Sequence, residues 1–213
     1  MRRIAVIDYG MGNLRSVSKA LEAVSNQVTV EVTANPDTIL SASHVLFPGV
    51  GAIRDCIAEV KRLELDEVIK EAAQSKPFMG ICLGMQALLS HSEENNGTDA
   101  LGIIPGEVKL FDNPVAADGT KLKVPHMGWN QVHQTCSHPL WNNIEQDSRF
   151  YFVHSYFVKP AAPDVIAATS SYPDEFAAAI YNENVFAAQF HPEKSQRAGL
   201  QLLQNFVNWD GQS

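Results

Sequence analysis

A single cysteine, Cys82, separates a strand-like segment from a helix-like segment, and this junction constrains the possible fold more than any other feature. Residues 77–81 form a short apolar run that predicts a buried strand, and the apolar residues within 83–88 follow at helical spacing. Gly80 and Gly84 flank the cysteine in a G-x-C-x-G pattern, which is typical of the sharp strand-to-helix turn that presents a nucleophile. The sequence therefore predicts a strained turn with a reactive thiol at its apex.

A thiol in such a turn lies at the amino-terminal end of a helix, where unpaired backbone N–H groups favour the thiolate. The N–H of Leu83 would then face the group that the sulfur attacks. The alternative interpretation is a buried core cysteine, which is common for a thiol in an apolar run. A second motif, far downstream, favours the nucleophile.

That second motif is His191-Pro192-Glu193, which follows an apolar strand-like segment. A nucleophilic thiol needs a base, and the base needs a group that orients it. If the chain is extended here, His191 and Glu193 point to the same side, so the carboxylate accepts from one imidazole nitrogen and leaves the other facing Cys82. The alternative is a surface histidine at a strand end. Four other histidines are expected to be solvated: His44, His91, His133 and His138.

Attack on a carbonyl group produces an oxyanion, which needs two preorganised hydrogen-bond donors. The N–H of Leu83 is the first candidate. The second is an N–H of Val50 or Gly51, in the Gly49–Gly51 turn that ends an earlier strand. Taken alone, this turn is equally consistent with an ordinary strand ending.

The rest of the chain predicts an α/β fold. Apolar strands alternate with amphipathic helices up to about residue 90, a pattern that indicates parallel βαβ units with functional loops at the carboxyl ends of the strands. From residue 101, short segments broken by proline and glycine predict antiparallel strands added to the same sheet, with 149–158 as one strand. We expect a single domain over residues 1–213: a flavodoxin-like three-layer sandwich with a mostly parallel central sheet.

Composition limits the classes of function. A net charge of −8 leaves no basic excess to neutralise phosphates, which argues against binding to nucleic acid or to anionic membranes. No apolar stretch approaches a membrane span, and three cysteines without a C-x-x-C pair imply neither a disulfide framework nor a zinc cluster. We therefore expect a cytoplasmic protein with no metal and no cofactor.

Two longer motifs contain the residues discussed above, G-I-C-L-G-M-Q at 80–86 and Q-F-H-P-E-K-S at 189–195. Together they resemble the triad, or class I, glutamine amidotransferases, and the resemblance covers almost the whole chain. Within that family the sequence is similar to the glutaminase subunits of imidazole glycerol phosphate synthases. Four further segments carry the narrower resemblance: 8–14, 47–52, 125–130 and 151–156.

The resemblance implies a glutaminase that hydrolyses L-glutamine through a γ-glutamyl thioester, with Cys82, His191 and Glu193 as its catalytic triad. It also implies an oxyanion hole formed by Leu83 and the Gly49–Gly51 turn. Five residues are the predicted contacts of the substrate: Gly49, Gln86, Glu94, Ser155 and Tyr156.

A partner is also implied. Free ammonia in neutral water is mostly protonated and no longer nucleophilic, so it must pass directly to an acceptor. The resemblance names the partner as a (βα)8-barrel cyclase subunit, which forms a heterodimer with the glutaminase and acts in histidine biosynthesis. Asn13, Trp129 and Tyr151 are the predicted docking residues, since aromatic side chains are enriched at interfaces; for Trp129 a core position is the alternative. A reorienting peptide at Gly49 and Val50 would give low activity without the partner.

Three other functions remain possible at this point. The chain could serve another synthase, of the anthranilate or pyridoxal phosphate type. It could be a γ-glutamyl hydrolase or cysteine peptidase of related fold, or a non-catalytic flavodoxin-like module. Gln86 and Glu193 favour the amidotransferase over the hydrolase, and Met85 stands where anthranilate-type relatives usually carry histidine.

Overall fold

Strands and helices alternate through the first part of the chain in the computed structural model, which describes residues 1–212. The elements up to the cysteine turn are β1 (Arg2–Ile7), α1 (Leu14–Val24), β2 (Val28–Thr33), α2 (Pro36–Ser41), β3 (His44–Gly49), α3 (Ile53–Arg62), α4 (Asp66–Ser75), β4 (Phe78–Cys82) and α5 (Leu83–Ala87).

Strands dominate the second part of the chain until a final helix. The elements are β5 (His91–Ser92), β6 (Thr98–Asp99), β7 (Gly106–Leu110), β8 (His126–Gln131), β9 (His133–Gln134), β10 (Arg149–His154), β11 (Tyr156–Pro160), β12 (Ile166–Ser171), β13 (Glu175–Asn182), β14 (Val185–Ala188) and α6 (Gln196–Asn208).

Within residues 1–212, twelve strands form one mixed sheet. Its order is β2-β1-β3-β4-β14-β13-β11-β7-β5-β6, with β12 beside β13 and β9 beside β12. The first five strands of that order run parallel. Antiparallel pairing begins where β13 meets β14 and continues through β11 to β7. The predicted α/β fold, with a parallel central sheet and added antiparallel strands, is confirmed.

One part of the fold prediction was wrong. Residues 149–158 are not one strand, because the chain breaks at Ser155 into β10 and β11. β11 joins the main sheet, whereas β10 pairs antiparallel with β8 in a separate two-stranded sheet. The break therefore lets two consecutive strands serve different sheets, and it leaves irregular backbone at Ser155.

Two apolar layers cover the two faces of the main sheet. Alternate residues of each strand point to opposite faces, so Ile4 and Val6 pack in the layer that contains α1 and α6, whereas Ala5 and Ile7 pack with α3 and α4. The fold therefore has the predicted three layers. No helix within residues 1–212 is both long and apolar enough to cross a membrane.

Two local predictions were also wrong. His44 and His138 are buried, with 4% and 3% of their surface exposed, because each ring packs against aromatic side chains of the core. His44 Nε2 also lies 2.9 Å from the carbonyl oxygen of Trp209, which compensates for the buried ring nitrogen.

Candidate active site

Cys82 occupies a strained turn, as the flanking glycines predicted. Its backbone has φ 53° and ψ −110°, a conformation that non-glycine residues rarely adopt, and it ends β4 where α5 begins. Gly84 is required for close approach to the neighbouring strand, because a β-carbon there would lie 1.9 Å from the carbonyl oxygen of Phe47. The turn is therefore held against β3 by packing that only glycine permits.

The register of the parallel strands brings distant segments to the same edge of the sheet. Gly49, the last residue of β3, is paired with Cys82, the last residue of β4. On the other side, Ala188 at the end of β14 is paired with Ile81. The turn after Gly49 and the segment that leads to His191 therefore leave the sheet on either side of the thiol.

His191 and Glu193 form a buried pair. Their Nδ1 and Oε1 atoms lie 2.8 Å apart, and the two side chains are 2% and 0% exposed. The expectation of an extended chain was wrong, because Pro192 to Lys194 form a 3-10 turn. The turn brings the two side chains together, and Ser195 Oγ fixes it by donating to the carbonyl oxygen of His191 at 2.6 Å.

The electrostatics of this pair favour a charged imidazole. Burial lowers the pKa of His191, but hydrogen bonds and charge interactions with Cys82 and Glu193 outweigh burial and raise it to about 10. Among the described residues, His191 Nε2 has no hydrogen-bond partner, so this nitrogen is free to serve the nearby thiol. The ring can therefore hold a proton beside the sulfur, which is the arrangement of a thiolate–imidazolium pair.

The thiol and the imidazole both open into one cleft of about 300 Å³. Nine of the predicted site residues line this cleft: Val50, Gly51, Cys82, Leu83, Gln86, Glu94, Ser155, Tyr156 and His191. Of the remaining residues predicted for catalysis and substrate binding, Glu193 is paired with His191, and Gly49 ends β3 just before the lining residues Val50 and Gly51. The lining also includes Pro125, Val153 and His154, which were not predicted as site residues.

The predicted substrate contacts are already engaged within the protein. Gln86 Nε2 donates to the carbonyl oxygen of Tyr156 and to Gln189 Oε1, both at 3.1 Å. Glu94 Oε2 accepts from the backbone N–H of Ile53 at 2.9 Å, so this carboxylate ties the cleft to the start of α3. These bonds fix the orientation of the polar groups that face the cleft.

Sequence reasoning missed Gln189, whose Nε2 lies 3.6 Å from the sulfur of Cys82. The residue is completely buried. It is the one uncharged polar side chain in the apolar run 185–190, and that isolation was the available signal. A buried amide requires hydrogen-bond partners, and here the nucleophile is one of them.

Comparison with known proteins identifies the family of this fold and site. The family model described as glutamine amidotransferase class-I matches residues 5–209. The chain belongs to the class I glutamine amidotransferase family. Among similar proteins, the imidazole glycerol phosphate synthase subunit HisH of Nitrosococcus oceani is 59% identical over 213 residues, covering 100% of both chains. The HisH subunit of Thiobacillus denitrificans is 60% identical over 209 residues, covering 97% of this chain and 91% of the relative.

Solved structures resemble this amidotransferase in fold. The structure of PurLQS from Thermotoga maritima superposes with a TM-score of 0.72 at 20% sequence identity, covering 98% of this chain and 99% of that chain. A crystal structure of a glutamine amidotransferase gives a TM-score of 0.71 at 14% identity, covering 96% and 97%. Both have the same architecture.

The two backbone segments predicted to donate to an oxyanion both line the cleft of this amidotransferase. Leu83 is the first residue of α5, so its N–H has no acceptor within the helix. Val50 and Gly51 line the same cleft on the β3 side. Behind them, Tyr9 donates from its hydroxyl to the carbonyl oxygen of Pro48 at 3.0 Å, which holds the start of this turn.

The three predicted docking residues lie near the triad rather than in the cleft. Trp129 and Tyr151 are paired across β8 and β10, and Trp129 is 40% exposed, so it is not a core residue. Asn13 makes no side-chain cap for α1; instead its Nδ2 lies 3.4 Å from Glu193 Oε1. Asn13 therefore contacts the carboxylate that orients His191.

Cysteines and other potential metal ligands are not clustered in the described part of the chain. Within residues 1–212, no group of three or more His, Cys, Asp or Glu side chains is arranged to hold a metal ion. Cys56, Cys82 and Cys136 are all free thiols.

Proposed function

We propose that this chain is the glutaminase subunit of imidazole glycerol phosphate synthase. It hydrolyses L-glutamine to glutamate and ammonia and passes the ammonia to a cyclase subunit, which forms imidazole glycerol phosphate and aminoimidazole carboxamide ribonucleotide in histidine biosynthesis. The observation that carries the proposal is the meeting of Cys82 with the buried His191–Glu193 pair at one cleft. The identity to HisH subunits over the full chain supports the choice of synthase.

In the first half of the proposed reaction, the Cys82 thiolate attacks the side-chain amide carbon of glutamine. The carbonyl π electrons move to oxygen, and the N–H of Leu83 with an N–H of Val50 or Gly51 stabilises the resulting oxyanion. When the tetrahedral intermediate collapses, its C–N bond breaks. His191 gives its proton to the departing nitrogen, which leaves as ammonia.

The second half returns the enzyme to its starting state. His191, now neutral, takes a proton from water as the water oxygen attacks the γ-glutamyl thioester. The second tetrahedral intermediate breaks its C–S bond, which releases glutamate and restores the thiolate beside a protonated imidazole. Glu193 keeps the ring in one tautomer and stabilises its positive charge in both halves.

Polar groups of the cleft position the substrate. Glu94 and the backbone of Ser155 and Tyr156 are proposed to bind the α-amino-acid end of glutamine. Gln86 is proposed to contact the substrate from α5, and Gly49 allows the backbone to approach the side-chain amide. The bonds of Gln86 to Tyr156 and of Glu94 to Ile53 preorganise two of these groups. Preorganised contacts reduce the cost of orienting the substrate for attack.

The proposed partner is a (βα)8-barrel cyclase, bound at a docking face formed by Asn13, Trp129 and Tyr151. Two of these residues are linked by hydrogen bonds to the buried pair, Asn13 through Glu193 and Tyr151 through the backbone of His191. Binding at this face would therefore place the acceptor of ammonia close to the site of its release. A single domain over residues 1–213 and a cytoplasmic location remain predictions.

The proposal is tested with the purified complex of this chain and the cyclase. Imidazole glycerol phosphate formation is measured with glutamine and, separately, with ammonium salt at alkaline pH. We expect the Cys82→Ala complex to lose the glutamine-dependent reaction and to retain the ammonium-dependent one. Glutamine-dependent synthesis by this variant would contradict the proposal.

Two rival functions have distinct signatures. A γ-glutamyl hydrolase or peptidase would release glutamate from γ-glutamyl peptides faster than from free glutamine. A glutaminase of the anthranilate or pyridoxal phosphate type would bind its own synthase rather than the barrel cyclase. Comparison of these substrates and partners with the same preparation separates the three assignments.

A further inference from the structure

The thiolate of Cys82 needs stabilisation that its own helix supplies only weakly. α5 has five residues, so few peptide dipoles are aligned behind the sulfur. Besides the His191 ring, the sulfur has two polar neighbours, the carbonyl oxygen of Val153 at 3.9 Å and Nε2 of Gln189 at 3.6 Å. The carbonyl favours the protonated thiol and the amide N–H favours the thiolate, and the amide is nearer.

The direction of the Gln189 amide is fixed by a chain of hydrogen bonds that begins at the backbone. The carbonyl oxygen of Tyr156 can only accept, so the group of Gln86 that faces it is Nε2. The same Nε2 also faces Gln189, which must therefore present Oε1 to it. The remaining amide group of Gln189, its NH2, then faces Cys82. A donor rather than an acceptor is thus directed at the sulfur.

We propose that Gln189 is a thiolate-binding residue: it donates a hydrogen bond to ionised Cys82 and is held in that orientation by Gln86 and the Tyr156 carbonyl. The inference rests on the proposed role of Cys82 as nucleophile. Complete burial of Gln189 excludes competing water and strengthens its contact with a charged acceptor.

The hydrogen bond acts where sulfur carries charge. It stabilises the thiolate before attack and again when the thiolate leaves the second tetrahedral intermediate, whereas the neutral thioester sulfur is a weak acceptor. It therefore favours both formation of the attacking thiolate and its release from the second intermediate.

The same hydrogen bonds limit how Gln86 can contact a substrate. Since both hydrogens of Gln86 Nε2 are already donated, Gln86 has only Oε1 to offer a substrate, and it accepts rather than donates there.

The test is the pH dependence of Cys82 alkylation by iodoacetamide in the full chain, followed by mass spectrometry of the Cys82 peptide. Three variants are compared with the wild type: Gln189→Leu, Gln189→Glu and Gln86→Met. Gln134→Leu is the matched control, because Gln134 also donates to two backbone carbonyl groups but lies on β9. Thermal unfolding verifies that each variant is folded.

Gln189→Leu is expected to raise the pH midpoint of alkylation by about one unit, the size expected for losing a hydrogen bond to a charged group. Gln189→Glu should raise it further although its shape is nearly unchanged, because an acceptor replaces the donor. Gln86→Met should shift the midpoint in the same direction by less. Gln134→Leu should leave it unchanged. In the complex, the Gln189 variants should lower kcat with little change in KM.

An unchanged midpoint in a folded Gln189→Leu or Gln189→Glu variant would overturn the proposal and leave Gln189 a structural residue. If neither Gln189 variant folds, an unchanged midpoint in Gln86→Met would overturn the proposal instead, because that variant removes only the hydrogen bond that orients the Gln189 amide. Alkylation requires neither glutamine nor the cyclase. Failure of the proposed function would therefore appear in the synthesis assay and not in this measurement.

Discussion

The backbone N–H of His191 donates to the carbonyl oxygen of Tyr151 at 2.9 Å. This bond joins the proposed base to β10, a strand of the small separate sheet that also carries Trp129 on its partner strand. Nearby, Lys194 Nζ lies 5.9 Å from the centre of the Tyr151 ring. The proposed docking face and the buried His191–Glu193 pair are thus connected by a backbone hydrogen bond. A partner that shifts β10 would therefore also shift His191.

Trp129→Ala is expected to weaken cyclase binding at least about 30-fold, because a truncated interface tryptophan typically costs 2 kcal/mol or more. The free energy of unfolding should change little, since the side chain is 40% exposed. The measurement is titration calorimetry with the cyclase. Leu200→Ala is the control, as Leu200 is 39% exposed on α6, outside the docking face. If Trp129→Ala binds the cyclase as tightly as Leu200→Ala does, Trp129 is not part of the interface.

Glu193→Gln is expected to reduce glutamine turnover by the complex on the order of 100-fold or more, because it removes the charge that supports the imidazolium.

The same substitution should change how stability depends on pH, because the raised pKa of His191 links the free energy of unfolding to pH. Its stabilising contribution is complete below the ordinary pKa of 6.5 and is lost as pH rises towards about 10. In the variant the loss should still begin near pH 6.5 but should be smaller and complete at lower pH, because only the pKa of the folded state falls.

Urea unfolding between pH 6 and 9 measures this linkage. Glu145→Gln is the control, because Glu145 is an exposed carboxylate away from the pair. A Glu193→Gln protein with wild-type turnover and an unchanged pH profile of stability would show that the carboxylate does not support the ring.

Gly84→Ala is expected to lower the free energy of unfolding by at least about 3 kcal/mol, above the usual cost of overpacking. The added β-carbon would lie 1.9 Å from the backbone oxygen of Phe47, which cannot move without displacing β3. Gly80→Ala should cost only about 1–2 kcal/mol, because its nearest neighbours lie at 3.1 Å. Chemical denaturation measures both values. The reverse order would contradict the packing described for the cysteine turn.

His138→Asn should make the protein less sensitive to acid. Burial lowers the pKa of His138 to about 4, so the neutral ring stabilises the fold above pH 6.5 and that contribution is lost as pH falls towards 4. Asparagine can still accept the N–H of Leu140, as His138 does, but does not titrate. Between pH 7 and 5.5 the variant should lose about 1 kcal/mol less than the wild type.

The acid dependence is measured by urea unfolding at intervals of half a pH unit. His133→Asn provides the comparison, because His133 is an exposed histidine five residues earlier. A steeper or unchanged slope in His138→Asn would mean that its ring is not held neutral by the fold.

The sequence was most informative where local pattern determines geometry. The change from strand to helix at Cys82, with glycine on both sides, is enough to predict the strained turn, because backbone clashes act between near neighbours. That Cys82 and His191 open into the same cleft was expected from chemistry, since a nucleophilic thiol needs a base, but the parallel pairing of β14 with β4 that brings them there was not predicted.

Features that depend on contacts across the fold were not predictable. The break at Ser155 arises because β10 and β11 join different sheets, and no residue pattern in 149–158 records that choice. The burial of His138 depends on aromatic residues from distant elements, including Phe186. The contact of Gln189 with Cys82 requires knowledge of the pairing between β14 and β4.

The central claim is that Cys82 is the nucleophile toward the side chain of glutamine. It is tested most directly by treating the complex with the glutamine analogue diazo-norleucine and locating the covalent adduct by mass spectrometry of peptides. We predict one adduct, on Cys82, that excess glutamine prevents and that parallels the loss of glutamine-dependent synthesis. Loss of that synthesis with the adduct on Cys56 or Cys136, and Cys82 unmodified, would contradict the account.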